Sequence, residues 1–352
     1  MKKWASIWGS MLLLVSSSVW AQRVVTDQLG RQVTIPDEVN RVVVLQHQTL
    51  DILVQLDAQR KIVGVLSSWQ RRLGRDYLRL AKGLDQLPMP GDLTQVNIES
   101  LLKLKPQVVF VTNYAPPQML AAIERVGIPV IAISLRQYQP GQASQLNPSL
   151  TNEEVTYNQG LKEGIQLIGE VVNRTAQARQ LIDYIFAQRQ LVTRRLAGLT
   201  DQQRPRVYMA NPNLITYGHG KYIGLMMHHA GAINVAAQAI KGYKQVSIEQ
   251  VLQWDPQVIL VQHRYPKVIQ QIKTDPLWQS IDAVKHQRIY YMPQYAKAWG
   301  YPMPEAVAVG ELWLAKRLYP QRFADIDVNK AADDYYQRFY RTHYQPSILS
   351  QN

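Results

Sequence analysis

The chain has 352 residues, a formal charge of +13 and no cysteine, which excludes a disulfide framework, a thiol nucleophile and a lipid-bearing cysteine. Its 39 Lys and Arg are spread along the whole length, unlike the basic stripe of a nucleic-acid binder. Such a charge suits attraction of an anionic small ligand or plain solubility.

At the start, Lys2 and Lys3 precede the apolar run Met11-Leu12-Leu13-Leu14-Val15, and Val19-Trp20-Ala21 offers small residues where a signal peptidase reads. Residues 1–21 are therefore expected to be a signal peptide cleaved after Ala21, sending a soluble protein to the periplasm. The run is far short of the roughly 20 residues a membrane span needs. Loss of Lys2 and Lys3 leaves 13 − 2 = +11 on a chain of about 330 residues, ample for two cores.

Arg23 to Pro36 reads as a β-hairpin turning at Leu29-Gly30-Arg31. Arg41-Val42-Val43-Val44-Leu45, Lys61 to Val65, Val108 to Val111 and Val130 to Ile133 are short apolar runs of the kind a parallel sheet buries. They delimit an N-terminal α/β lobe over 23–150. From 151 to 200 the spacing turns helical, with Leu161, Ile165, Ile168 and Val172 on one face, then Ala178, Leu181, Ile182 and Ile185. The second of these helices is expected to run from Arg179 to Arg195 between lobes. A C-terminal lobe over 204–352 opens with Arg206 to Ala210, continues through Arg288 to Met292, and closes with helices around Ala306 to Leu318 and Lys330 to Tyr344. The aromatics of the last helix are expected to dock onto that lobe.

One block is written twice. Asn97-Ile98-Glu99 leads through Lys105-Pro106-Gln107 to Val108-Val109-Phe110-Val111, and Ser247-Ile248-Glu249 leads through Asp255-Pro256-Gln257 to Val258-Ile259-Leu260-Val261; the offset is 249 − 99 = 150. Each copy predicts a capped short helix, a turn and a buried strand. The fold class that follows is α/β: two similar Rossmann-like lobes joined by a long α-helix, with a ligand cleft between them.

In order and spacing, the Thr26-Asp27-Gln28-Leu29-Gly30-Arg31 opening, the Asn-Ile-Glu helix before Lys-Pro-Gln-Val-Val, the interlobe helix and Tyr319-Pro320-Gln321-Arg322-Phe323 resemble the periplasmic receptors of iron-siderophore and cobalamin ABC importers, the class with a helical backbone, which has a molybdate-type branch. The resemblance covers essentially the whole mature chain. It implies a receptor that delivers a metal species to an ABC permease dimer in the inner membrane. It also implies that one acidic residue per lobe pairs with permease arginines; the matching positions are Glu99 and Glu249. Each lies two residues after a capping residue, in the first turn of its helix, where a carboxylate also complements the helix dipole.

Ligands of open α/β sheets gather at the carboxyl ends of strands. The residues expected there are His47, Trp69, Asn113, Tyr114, Tyr217, His219, His263, Arg264, Tyr295 and Trp299. Asn113 and His263 share one place in the two copies, as do Tyr114 and Arg264. Arg264 is the strongest candidate, because its forked donor matches oxyanion or catecholate oxygens. The strand-end loops expected at 45–49, 112–118, 211–222, 262–267 and 294–304 contain no Asp or Glu, which argues against a receptor for a bare divalent cation; no metal ligand and no cofactor is assigned.

The leading expectation is a monomeric receptor for an anionic metal species, either a ferric siderophore or a molybdate- or tungstate-like oxyanion. A corrinoid or nickel chelate is the alternative. An enzyme, such as a periplasmic metallo-hydrolase, is disfavoured: the chain lacks a Gly-Xaa-Ser-Xaa-Gly elbow and a His-Glu-Xaa-Xaa-His helix, and no catalytic residue is assigned.

Overall fold

The computed structural model describes residues 21–297 and 300–346. The expected leader, apart from Ala21, and Trp299 lie outside the described residues.

Strands β1 (Gln22–Thr26) and β2 (Gln32–Pro36) pair antiparallel around a turn where Gly30 has φ +76°, a left-handed conformation that costs glycine little. The motif at this turn is held by side chains. Asp27 Oδ1 accepts from the amides of Leu29 and Arg31 at 3.0 Å each, and Oδ2 accepts from Arg31 Nη2 at 2.7 Å and Ala132 N at 3.1 Å. Gln28 Oε1 accepts from the amides of Ser134 and Leu135, while Nε2 donates to the Gly160 carbonyl. The hairpin thus staples the last strand of the first lobe to the helical segment that follows it.

The first sheet holds β3 (Val42–Val44), β4 (Ile62–Val65), β7 (Val108–Thr112) and β8 (Val130–Ile133), all parallel, in the order β4-β3-β7-β8. A small hairpin of β5 (Gly91–Asp92) and β6 (Gln95–Val96) stands beside it. Its helices are α1 (His47–Gln55), α2 (Trp69–Leu73), α3 (Ile98–Lys103) and α4 (Pro117–Arg125).

The second sheet, β9 (Arg206–Ala210), β11 (Ile233–Asn234), β13 (Val258–Val261) and β14 (Ile289–Tyr291), repeats the arrangement as β11-β9-β13-β14. With it go α7 (Tyr222–His229), α8 (Ile248–Trp254), α9 (Pro266–Thr274) and α10 (Asp282–Lys285), and an antiparallel ribbon of β10 (Ile215–Tyr217) and β12 (Tyr243–Gln245).

The doubled block has a physical reason to recur. Asn97 and Ser247 cap α3 and α8 by accepting from the amides of Ser100 and Gln250. Lys105 (φ 46°) and Asp255 (φ 39°) then turn left-handed before proline, ending each helix. The Gln side chain after each proline clamps the neighbouring strand: Gln107 Oε1 accepts from Arg41 N, and Gln257 Oε1 from Arg206 N, both at 3.0 Å.

Helices α5 (Glu153–Val171) and α6 (Thr175–Arg195) fill the segment between lobes; at 1.5 Å per residue α6 is about 31 Å long. One apolar core runs through them without a break. It takes Val42, Val44, Val108 and Phe110 from the first sheet, Leu161, Ile165 and Ile185 from α5 and α6, and Val207, Met209, Val258 and Leu260 from the second sheet. The alternate strand residues face two separate outer cores, Val43, Val109 and Val111 in one and Tyr208, Ile259 and Val261 in the other, the alternation expected of strands covered on both faces.

After α11 (Glu311–Leu318), the last helix α12 (Val328–Tyr340) packs on second-lobe residues 306–310 and also reaches across to the first lobe. It lies against α1 of the first. Tyr340 Oη donates to Asp51 Oδ1 at 2.8 Å, Tyr335 Oη donates to Gln55 Oε1, and Tyr77 Oη donates to Asp51 Oδ1 at 2.6 Å. Into this cluster the second lobe inserts Lys297, whose Nζ donates to Asp51 Oδ2 at 3.1 Å and to Glu305 Oε1, while Gln55 Nε2 donates to Glu305 Oε2 at 3.0 Å. Asp51, Lys297 and Glu305 are fully buried.

Burial and the adjacent Asp51 push the Glu305 carboxyl up to about 8. Burial works the same way on Asp51, but Lys297 and its hydrogen-bond donors keep that carboxyl below its usual range. The Lys297 ammonium is thus shared between Asp51 and Glu305, and the Glu305 carboxyl binds its proton more tightly than a free glutamate does.

Removing one partner of a buried pair strands the other, so Lys297→Met is expected to destabilise the protein by about 3–5 kcal/mol in urea unfolding; a loss under 1 kcal/mol would contradict the clasp. Because the folded pKa of Glu305 lies above its unfolded value, the folded state holds the extra proton, and the contribution of this group to stability falls as pH rises from about 4.5 through 8. Glu305→Gln should flatten that slope, measured as melting temperature against pH.

Candidate functional site

The carboxyl ends of β3 and β7 on one side, and of β10 and β13 on the other, face a shared cleft of about 570 Å³. The first lobe lines it with His47 and Gln48 from the start of α1, Arg71 and Arg72 from α2, Asp92 to Gln95 from the β5–β6 hairpin, Tyr114, and Leu146. The second lobe adds Tyr217, Lys221, Tyr243, Arg264, Gly300 and Tyr301. A larger hollow of about 870 Å³ lies elsewhere, beside Trp313 and Tyr290. There Lys316 and Arg317 are balanced by Asp325 and Asp327, so it carries no excess of either sign.

The cleft does carry an excess. Four cationic side chains, Arg71, Arg72, Lys221 and Arg264, share it with a single carboxylate, Asp92. Helix α1 opens there with no side-chain cap, adding the positive end of its dipole. Burial, then Arg72, Arg264 and Lys297, hold the His47 imidazole well below its usual range, so it is neutral at pH 7. Burial, helped by Arg136, lowers Lys221 to about 8; its Nζ donates to the Leu146 carbonyl across the cleft. Arg264 Nε donates to Gln262 Oε1 at 2.9 Å.

Asp92 does not balance this charge freely. Its Oδ2 accepts from Ser67 Oγ at 2.7 Å, and its Oδ1 from Ser68 Oγ at 2.7 Å and Leu93 N at 2.8 Å. After the opposing effect of burial, those donors keep its carboxyl below the usual range. The site is thus a partly dehydrated pocket of hydrogen-bond donors with net positive charge, suited to hold an anion.

Of the residues expected at the strand ends, His47, Tyr114, Tyr217 and Arg264 line this cleft. Tyr114 and Arg264, equivalent by the 150-residue offset, meet in it from opposite lobes. Asn113 sits one step behind, donating to the Ala143 carbonyl at 2.6 Å and accepting from Tyr301 Oη at 3.1 Å, so it meets the cleft through Tyr301. His263 borders a separate hollow with Arg79 and Gln294, where burial drives its imidazole down to about 3. His219 faces a third hollow beside Glu153. Trp69 is wholly buried in the first-lobe core, and Tyr295 is buried with its ring on Tyr344. Glu99 and Glu249 are both solvent-exposed, each in the first turn of its helix. Arg71, Arg72, Asp92, Thr94, Gln95 and Tyr243 came from segments without strong periodicity; the one sequence cue was the Arg71-Arg72 doublet two residues after Trp69.

Among known proteins, the profile of the periplasmic binding protein family matches residues 42–296. The chain is 60% identical over 336 residues to the molybdate-binding protein MolA of Haemophilus influenzae, an alignment covering 96% of each chain. The solved structure of MolA bound to molybdate superposes with a TM-score of 0.90, covering 92% of this chain and 100% of that one. A periplasmic solute binding protein of Veillonella parvula (24% identity, TM-score 0.75, 92% and 94% covered) and Helicobacter pylori CeuE in its Ni-His complex (18%, 0.70, 92% and 97%) share the fold. The sequence match and the two-lobed architecture place the chain in the periplasmic binding protein family.

Proposed function

We propose that the protein is the periplasmic receptor of an ABC importer for a tetrahedral dianion of the molybdate or tungstate type. The observation that carries this reading is the convergence of Arg71, Arg72, Lys221 and Arg264 from both lobes on one cleft whose lone carboxylate is occupied by its own donors. A small dianion satisfies several forked donors at once, each charge-assisted hydrogen bond contributing on the order of 1.5–3 kcal/mol. The likeness to MolA supports the oxyanion over a siderophore, corrinoid or nickel chelate.

The working protein is a monomer, since one chain supplies both walls, and it binds without turnover. It is cut after Ala21 and divides into lobes at 23–150 and 204–352 around the helical segment 151–200. Glu99 and Glu249 meet a pair of equivalent permease subunits; their placement on matching helices of two like lobes supports the role. Lobe closure is small, because a continuous core and a buried ion cluster tie the lobes together.

Isothermal titration with molybdate, tungstate, sulfate, phosphate and a ferric catecholate is expected to give 1:1 binding of the first two. Arg264→Ala should weaken it about 30-fold, the equivalent of ~2 kcal/mol. Tight binding of the ferric catecholate without molybdate binding would contradict the reading. The double variant Glu99→Ala, Glu249→Ala should bind molybdate as the wild type does yet fail to support molybdate uptake in cells; normal uptake would remove these residues from docking.

A further inference from the structure

Burial disfavours the charge of Arg72, and Arg71 and Arg264 add to that, while Tyr114 and Asp92 act on it in the opposite sense. Left to itself such a guanidinium swings toward water. It is held instead by one bond, Nε donating to Ser68 Oγ at 2.9 Å. Among the described residues its two terminal amino groups have no hydrogen-bond partner, and Asp92 attracts it without closing an ion pair. Ser68 and Arg72 are four residues apart and lie on one face of α2, closed by the bond from Arg72 N to the Ser68 carbonyl.

What fixes Ser68 is Asp92. A serine hydroxyl has one proton, and that proton goes to Asp92 Oδ1 at 2.7 Å, so the oxygen's lone pairs face Arg72. Asp92 is in turn fixed by Ser67 Oγ and Leu93 N. The hairpin that carries it is pinned beside the same serines by the Leu66–Gly91 bridge and by Ser67 N donating to the Gly91 carbonyl at 2.8 Å.

We propose that Asp92 and Ser68 form a positioning relay whose task is to present the two terminal amino groups of Arg72 to the bound oxyanion. The one carboxylate of the cleft therefore serves as the fixed end of a tether, and contributes to anion binding through the arginine it orients. The assignment to oxyanion binding rests on the function proposed above; the tether itself does not.

The test has two arms. In the ligand-free protein, the Arg72 Nε–H resonance is expected to exchange slowly with water, to exchange fast in Ser68→Ala, and to be slow again in Ser68→Thr, which restores the hydroxyl. Slow exchange in Ser68→Ala overturns the relay. In titrations with sodium molybdate, Ser68→Ala should weaken binding about 3- to 10-fold, the range of one hydrogen bond, Arg72→Ala at least as much, and Ser68→Thr less than about twofold. In the Arg72→Ala background the Ser68→Ala change should have no further effect, because the serine acts only through the arginine. Wild-type affinity in Ser68→Ala, or the same loss with and without Arg72, overturns the proposal. If molybdate fails to bind any form while the exchange pattern holds, the tether stands and the oxyanion reading falls.

Discussion

Lys297 is a second-lobe residue whose ammonium is enclosed by a first-lobe carboxylate, Asp51, and by Glu305. Taking such charges out of water costs several kcal/mol per ion, recovered only when every group finds a partner. Here they do, through Tyr77, Tyr340 and Gln55. The cluster is specific as to geometry: a lobe rotated by a few ångströms would leave a buried charge unmatched. It also sits one helical turn behind the cleft, since His47 and Asp51 lie on the same face of α1. The floor of the binding cleft is thus set by the contact that joins the lobes.

With the lobes fixed, their charges are forced to share a small volume. At 4 Å, like charges repel by about 4 kcal/mol at the effective dielectric of a protein surface; His47, lowered first by burial and then by Arg72, Arg264 and Lys297, registers that crowding. The cleft therefore concentrates positive charge, which an anionic ligand offsets. This makes binding energy a property of the whole arrangement: α1 supplies a dipole, α2 and the β5–β6 hairpin supply an oriented arginine, and the second lobe supplies Arg264 and Lys221. The scattered net charge of the chain, ambiguous by itself, acquires meaning through these few positions.

Much of the architecture was legible in the sequence because it rests on residues that do one local job. Asn97 and Ser247 cap, Lys105 and Asp255 turn, and Gln107 and Gln257 clamp a strand; each job demands a residue type at a fixed spacing, so the doubling shows. Asp27 and Gly30 are similar. Tyr114 and Arg264 were found by the same offset. The rest of the cleft was hidden because α2 spans five residues and the β5–β6 strands two each, too short to leave a period. Arg71, Arg72 and Asp92 carry no pattern of their own in the sequence, and the Leu66–Gly91 bridge brings their segments together. Long-range pairing of α12 with α1 was equally invisible, since an aromatic-rich helix face looks the same whichever lobe it covers.

The central claim is that the cationic cleft between the lobes holds one tetrahedral oxyanion. Anomalous diffraction at the molybdenum edge, from crystals grown with molybdate, tests it most directly. A single strong peak per chain is expected in the cleft, within hydrogen-bonding reach of both Arg72 and Arg264. An empty cleft, or peaks confined to surface lysines and arginines, would contradict it.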